Sequence, residues 1–162
     1  MKKFVIALMV CAAVALAVAG SFAVDEKPWF DMEHCDFCKN LLTDPHLFEN
    51  MTWEHHDISN GLLTLTVVKP EYETAYLDAQ HAMEEVAAKL AQGATDVKMC
   101  GHCEHYGMIL MAGAKMEHVR TCAGDITLIT SDKPEVLAMI RDYAEKTRDA
   151  LAEGPPAGME AE

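Results

Sequence analysis

Asn60-Gly61-Leu62-Leu63-Thr64-Leu65-Thr66-Val67-Val68-Lys69-Pro70-Glu71 decides the fold. Asn-Gly between two β-rich runs is the strongest short-range hairpin signal, because both residues accept positive φ. The apolar run after it reads as a strand. Pro70 suits the first position of a helix, where its missing N–H is harmless. The preceding run, Met51–Ile58, supplies the other arm of the hairpin.

The same punctuation returns downstream. Ala123-Gly124-Asp125 is followed by Ile126-Thr127-Leu128-Ile129-Thr130 and then by Lys133-Pro134-Glu135. The strand before that turn is expected at Met116–Cys122. Each block also has a Cys-x-x-Cys pair ahead of it, Cys35-Asp36-Phe37-Cys38 and Cys100-Gly101-His102-Cys103. The offsets are 65 at the cysteines, 63 at Gly61/Gly124 and 64 at Pro70/Pro134. A near-constant offset with matching turn, strand and helix signals reads as an internal duplication. Both closing helices show 3.6-residue periodicity, through Tyr72, Tyr76, Ala79, Met83, Val86 and Leu90, and through Val136, Ile140, Tyr143, Thr147 and Ala150.

The fold class expected is therefore α+β. Duplicated helix–hairpin–helix units, about 33–92 and about 98–152, would share one four-stranded antiparallel sheet in a single domain at 24–152. One hairpin with one helix is marginal alone, which argues for pooling the two. Each closing helix is expected to pack on that sheet. Residues 153–162, acidic and Gly/Pro-rich, are expected to be a disordered tail.

Outside the repeat, Met1-Lys2-Lys3, an uncharged apolar run from Phe4 to Ala19 and Ser21-Phe22-Ala23 have the layout of a secretory signal peptide cleaved after Ala23. The run of 16 residues is short for a membrane span, which needs ~20. Cys11 does not fit a lipoprotein site, since the apolar run continues past it. The expectation is an exported protein, periplasmic or secreted, with no membrane association after cleavage. That compartment permits disulfides.

Composition narrows the function classes. The chain has 162 residues, 13 Lys+Arg against 26 Asp+Glu and a formal charge of −13, which argues against a nucleic-acid partner. A hydrophobic fraction of 51% is too high for a disordered chain. There is no Gly-x-Gly-x-x-Gly and no phosphate loop. Glu104 follows Cys103, so the haem-attachment pattern is missing. Any protein partner is expected to be basic at the contact.

The chemistry sits in the cysteines. A Cys-x-x-Cys pair at a helix N-terminus is exposed to free N–H groups and a partial positive charge, which stabilise the thiolate. A thiolate both binds metal and attacks disulfides, so three readings stand. In the first, Cys35, Cys38, Cys100 and Cys103 converge on zinc or copper, or each pair holds its own metal with nearby His or Met. His34, His102, His105, His118 and Cys122 are further candidate ligands, because Cys, His and Met suit these ions. His102 and His105 can share a helix face, and Met116, His118 and Cys122 alternate along the expected strand. Met108, Ile109, Leu110 and Met111 read as core, and only one of His55 and His56 can face any site. An odd fifth cysteine, Cys122, is expected to be buried or metal-bound.

In the second reading, Cys100-Gly101-His102-Cys103 is similar to the active site of protein disulfide isomerases. That resemblance implies an attacking Cys100 and a resolving Cys103. It covers four residues. No strand pattern precedes the pair, and no proline lies between Cys103 and Pro134. Phe30 to Lys39 likewise looks like a thioredoxin-type entry, but a hairpin follows it. In the third reading the pairs are structural disulfides of a binding module. Geometry separates them: four converging sulfurs favour metal, one exposed pair beside a groove favours redox, and two separate bridges favour the scaffold. The expected function is soft-metal binding or handling, more a binder than an enzyme.

Overall fold

The structure is a computed structural model describing residues 27–154. Residues 1–23, read above as a signal peptide, and residues 155–162 of the expected tail lie outside the described residues. Four strands, β1 (Met51–Ile58), β2 (Gly61–Val68), β3 (Lys115–Thr121) and β4 (Gly124–Thr130), form one antiparallel sheet in the order β1-β2-β4-β3. Three α-helices complete the fold: α1 (Glu73–Ala91), α2 (Gly101–Met111) and α3 (Pro134–Ala152).

Each hairpin contributes its second strand to the central seam, and the seam's register maps onto itself. Gly61 faces Thr130, Thr64 faces Thr127 and Val67 faces Gly124. Exchanging the halves at the 63-residue offset leaves these pairs unchanged. The flanking hydrogen bonds follow the same rule: Ser131 N–H donates to Asn60 O (3.0 Å) and Val68 N–H to Ala123 O (3.2 Å). Both turn glycines are fixed by this seam as well as by the turns. A Cβ on Gly61 would stand 1.9 Å from the Ile129 carbonyl oxygen, and one on Gly124 would stand 2.0 Å from that of Thr66. Gly124 is also at φ +144°, a region side chains disfavour.

The opening of the first half differs from expectation. No α-helix follows Cys35. Short 3-10 turns occupy Cys38–Leu42 and Phe48–Asn50 instead. Asn40 turns its amide onto the carbonyls of Asp36 and Phe37, competing with helical bonding. Pro45 then blocks propagation, so the costly helix nucleus is never repaid. Only the second half, α2-β3-β4-α3, is helix–hairpin–helix.

One sheet face carries the core. Val136, Ile140, Tyr143 and Ala144 of α3 pack with Leu62, Ile129 and Ile109. α1 departs from the expected packing: it docks largely on the Cys38–Leu42 turn, and its first half reaches the sheet through Tyr76 and Ala79, which pack with Leu47 and Val68. Tyr76 donates to Asp125 Oδ2 (2.6 Å), Gln80 donates to the same oxygen (2.7 Å), and Arg120 Nε stands 2.7 Å from Oδ1. That buried carboxylate anchors α1 to β4. The opposite sheet face, with Leu63, Leu65, Val67, Val119, Ile126 and Leu128, meets no helix among the described residues.

Of the four residues Met108 to Met111 expected in the core, only Ile109 is fully buried, while Met108 and Met111 are exposed. α2 is one-sided, and its outer face points to solvent. Among the described residues no helix is long and apolar enough to cross a membrane.

Candidate metal centre

Two hydrogen bonds between Asp36 and Lys98, one of them to the Asp36 side chain, bring the cysteine pairs together. Asp36 N–H donates to Lys98 O (2.9 Å), and Lys98 N–H donates to Asp36 Oδ2 (2.8 Å). The bridge sets the Cys35–Cys38 loop beside the residues just before Cys100. The N-terminus of α2 is then closed by the chain at 28–29. Gly101 N–H donates to Pro28 O (3.0 Å) and His102 N–H to Trp29 O (2.9 Å). These partners satisfy helix donors that would otherwise be orphaned.

The four sulfurs all lie within 4.8 Å of one another, and none is in a disulfide. Cys35–Cys103 and Cys38–Cys100 are 3.6 Å apart, and Cys38–Cys103 is 3.5 Å. Zinc–sulfur bonds of ~2.3 Å at tetrahedral angles place sulfurs ~3.8 Å apart, so the spacing suits a single ion. An iron–sulfur cluster, with its metals spread over several positions, would hold the thiolates further apart. Cys35, Cys38 and Cys100 are buried and Cys103 is partly so. Met32, Phe37, Leu41, Leu42 and Phe48 pack around them.

Crowding sets the protonation. Hydrogen bonds with Cys100, Cys103 and Cys38 hold the Cys35 thiol far below the ordinary thiol range. Cys100 comes down to about 7, chiefly through its hydrogen bond with Cys103. Cys38 and Cys103 are pushed up, chiefly by Cys100. Four thiolates cannot coexist at this distance without a cation. The cluster therefore divides into acidic and proton-holding sulfurs, and a bound dication would release the remaining protons.

His102 lies behind the cluster. Burial pushes its imidazole down to about 3, so the ring is neutral. Tyr143, buried and held well above the ordinary phenol range by that burial, shares a hydrogen bond with His102 Nε2 (2.5 Å). That bond orients the ring, and Nδ1 on its other side faces Cys103 Sγ at 3.9 Å. The ring is packed by Phe30, Trp29 and Trp53. His102 thus sets a ring nitrogen beside a sulfur from outside the cluster.

The other candidates are placed elsewhere. His34 adjoins Cys35 in sequence but is exposed and pairs with Asp31 (3.0 Å). His105 shares the Trp29 face with His102, as the i, i+3 spacing predicts, and bonds Gly101 O (3.0 Å). His118 stands 3.1 Å from Asp125 Oδ1. Cys122 is exposed rather than buried, because β3 ends at Thr121 and the tight turn breaks the alternation there. His55 is buried and His56 exposed, on opposite faces of β1.

Sequence reasoning missed Asp36, Trp29 and Tyr143. Asp36 had a signal, a carboxylate inside a cysteine loop. Tyr143 had a weaker one, one of two hydroxyls, with Thr147, on an otherwise apolar helix stripe. The site is of the four-cysteine class that can hold a metal ion such as zinc. Comparisons with protein-family models, curated proteins and solved structures give no match.

Proposed function

We propose that this chain is an exported, duplicated single-domain protein that binds one zinc ion through Cys35, Cys38, Cys100 and Cys103. The observation that carries this is the convergence of four thiols from the two halves at tetrahedral spacing. A redox pair is supported less, because every sulfur has sulfur neighbours from the other pair and three are buried. Four protein ligands leave no open position for substrate, which is the structural rather than the catalytic pattern. Zinc suits four thiolates arranged as a tetrahedron. Bound there, the ion supplies a cross-link between the halves and charge neutralisation for the thiolates. Duplication is supported by the self-matching seam, and export by the layout of residues 1–23.

The test is metal analysis of tag-free mature protein, paired with a thiol count. The expected result is about one zinc per chain, lost in both Cys35→Ser and Cys100→Ser. His34→Ala and His118→Ala should keep it. Protein without metal, carrying two disulfides, would overturn the reading. Intact mass should begin at Val24.

A further inference from the structure

α1 and α2 stand apart over the middle of the sheet, and between them lies a cavity of about 440 Å³. Its floor is Thr64, Thr66 and Thr127, at the centre of the β2–β4 seam. Met83, Ala87 and Leu90 of α1 form one wall, and Tyr106 and Gly107 of α2 form another. The cavity is partly open to solvent. Its volume falls within the ~300–1,000 Å³ of small-molecule sites, which are mostly apolar with a few placed polar groups.

Two observations define the occupant. No Asp, Glu, Lys or Arg lines the cavity, so away from the cysteine cluster a buried ionic group would have no partner. Gly107 sits inside α2, where only proline is a poorer helix former. A Cβ there would meet nothing within 4 Å. Glycine is therefore not required by packing, and its missing side chain leaves the space open.

We propose that this cavity binds an uncharged, apolar small molecule, stacked on the lining rings of Phe30, Trp53 and Tyr106, with its few polar atoms on the threonine hydroxyls. Cys38, Cys103 and His102 also line it, so an occupant would cover the exposed side of the cysteine cluster. The cavity does not need the metal reading, because most of its lining lies outside the cluster.

The test is titration of the full chain as purified with N-phenyl-1-naphthylamine, a neutral dye that brightens in apolar surroundings. Metal content is measured on the same preparation, so that a failure here is separable from a failure of the zinc reading. The expected result is saturable binding of one dye per chain. Gly107→Leu and, independently, Ala87→Leu should fill the space and weaken binding at least tenfold with wild-type circular dichroism. Val119→Ser, on the opposite sheet face, should leave it unchanged. Non-saturable fluorescence from the wild type would overturn the proposal. So would undiminished binding in folded filling variants, loss of binding in Val119→Ser, or one dye per two chains with a doubled native mass.

Discussion

His55 offers the sharpest test of the core. Its ring is buried on β1 against Trp53 and Tyr143, and neither ring nitrogen has a hydrogen-bond partner. Burial, and then the positive charges of Arg148 and His56, push it down from 6.5 to about 4. Above pH 6.5 the ring is neutral in both states. As pH falls below 6.5 the unfolded chain takes up a proton that the folded chain refuses, so stability drops until the folded ring also titrates near 4. The gap corresponds to about 3 kcal/mol. His55→Phe removes this slope. It also removes two unsatisfied nitrogens, worth about 1–2 kcal/mol, against a similar packing cost for the larger ring. The variant should match or slightly exceed wild type at pH 7 and exceed it by about 2–3 kcal/mol at pH 4.5. Urea unfolding followed by circular dichroism at several pH values measures this. Acid acts on the cysteines in both proteins, and His102, which burial and then the charge of His55 hold down to about 3, stays neutral across this range. Parallel stability profiles between pH 7 and 4.5 would refute the reasoning.

Gly61→Ala should cost about 3 kcal/mol by urea unfolding, because its methyl meets a carbonyl across the seam. Gly124→Ala should cost more, since positive φ adds strain. Asp125→Asn should cost about 2–3 kcal/mol, because Arg120 loses its counter-charge and Tyr76 and Gln80 lose a charged acceptor. A change below 0.5 kcal/mol, on the order of a neutral surface substitution, would show that the network does not anchor α1. Tyr143→Phe removes the hydrogen bond that orients the His102 ring and should weaken zinc binding about tenfold in chelator competition, with the fold intact.

The repeat made the sheet legible. Asn60-Gly61, Gly124 and the two Lys-Pro-Glu stops are local signals, and local signals locate hairpins and helix starts. The stripe Val136, Ile140, Tyr143 and Thr147 is buried as its period predicts. Periodicity names a buried face but not its partner. This is why α1, with a similar stripe, lies against the Cys38–Leu42 turn and borders a cavity instead. The convergence of the cysteines was legible as one of three options. The bridges that enforce it were not, because Asp36 with Lys98 and Tyr143 with His102 are contacts between distant residues that leave no spacing in the sequence. His34 was misleading for the opposite reason: adjacency to Cys35 along the chain says nothing of where a side chain points at a turn.

The split ligand set also orders events during synthesis. Cys35 and Cys38 emerge more than sixty residues before Cys100 and Cys103. Until the later pair exists, the nascent chain offers only two thiols, a site that exchanges its metal. Linking the two pairs closes a loop worth about 4 kcal/mol of unfolded-chain entropy, by analogy with a disulfide of that span. Under the zinc reading, tight metal retention would report a chain that has been finished and whose two halves have met. Truncated or half-folded products would then stand out as the metal-poor fraction, open to proteolysis.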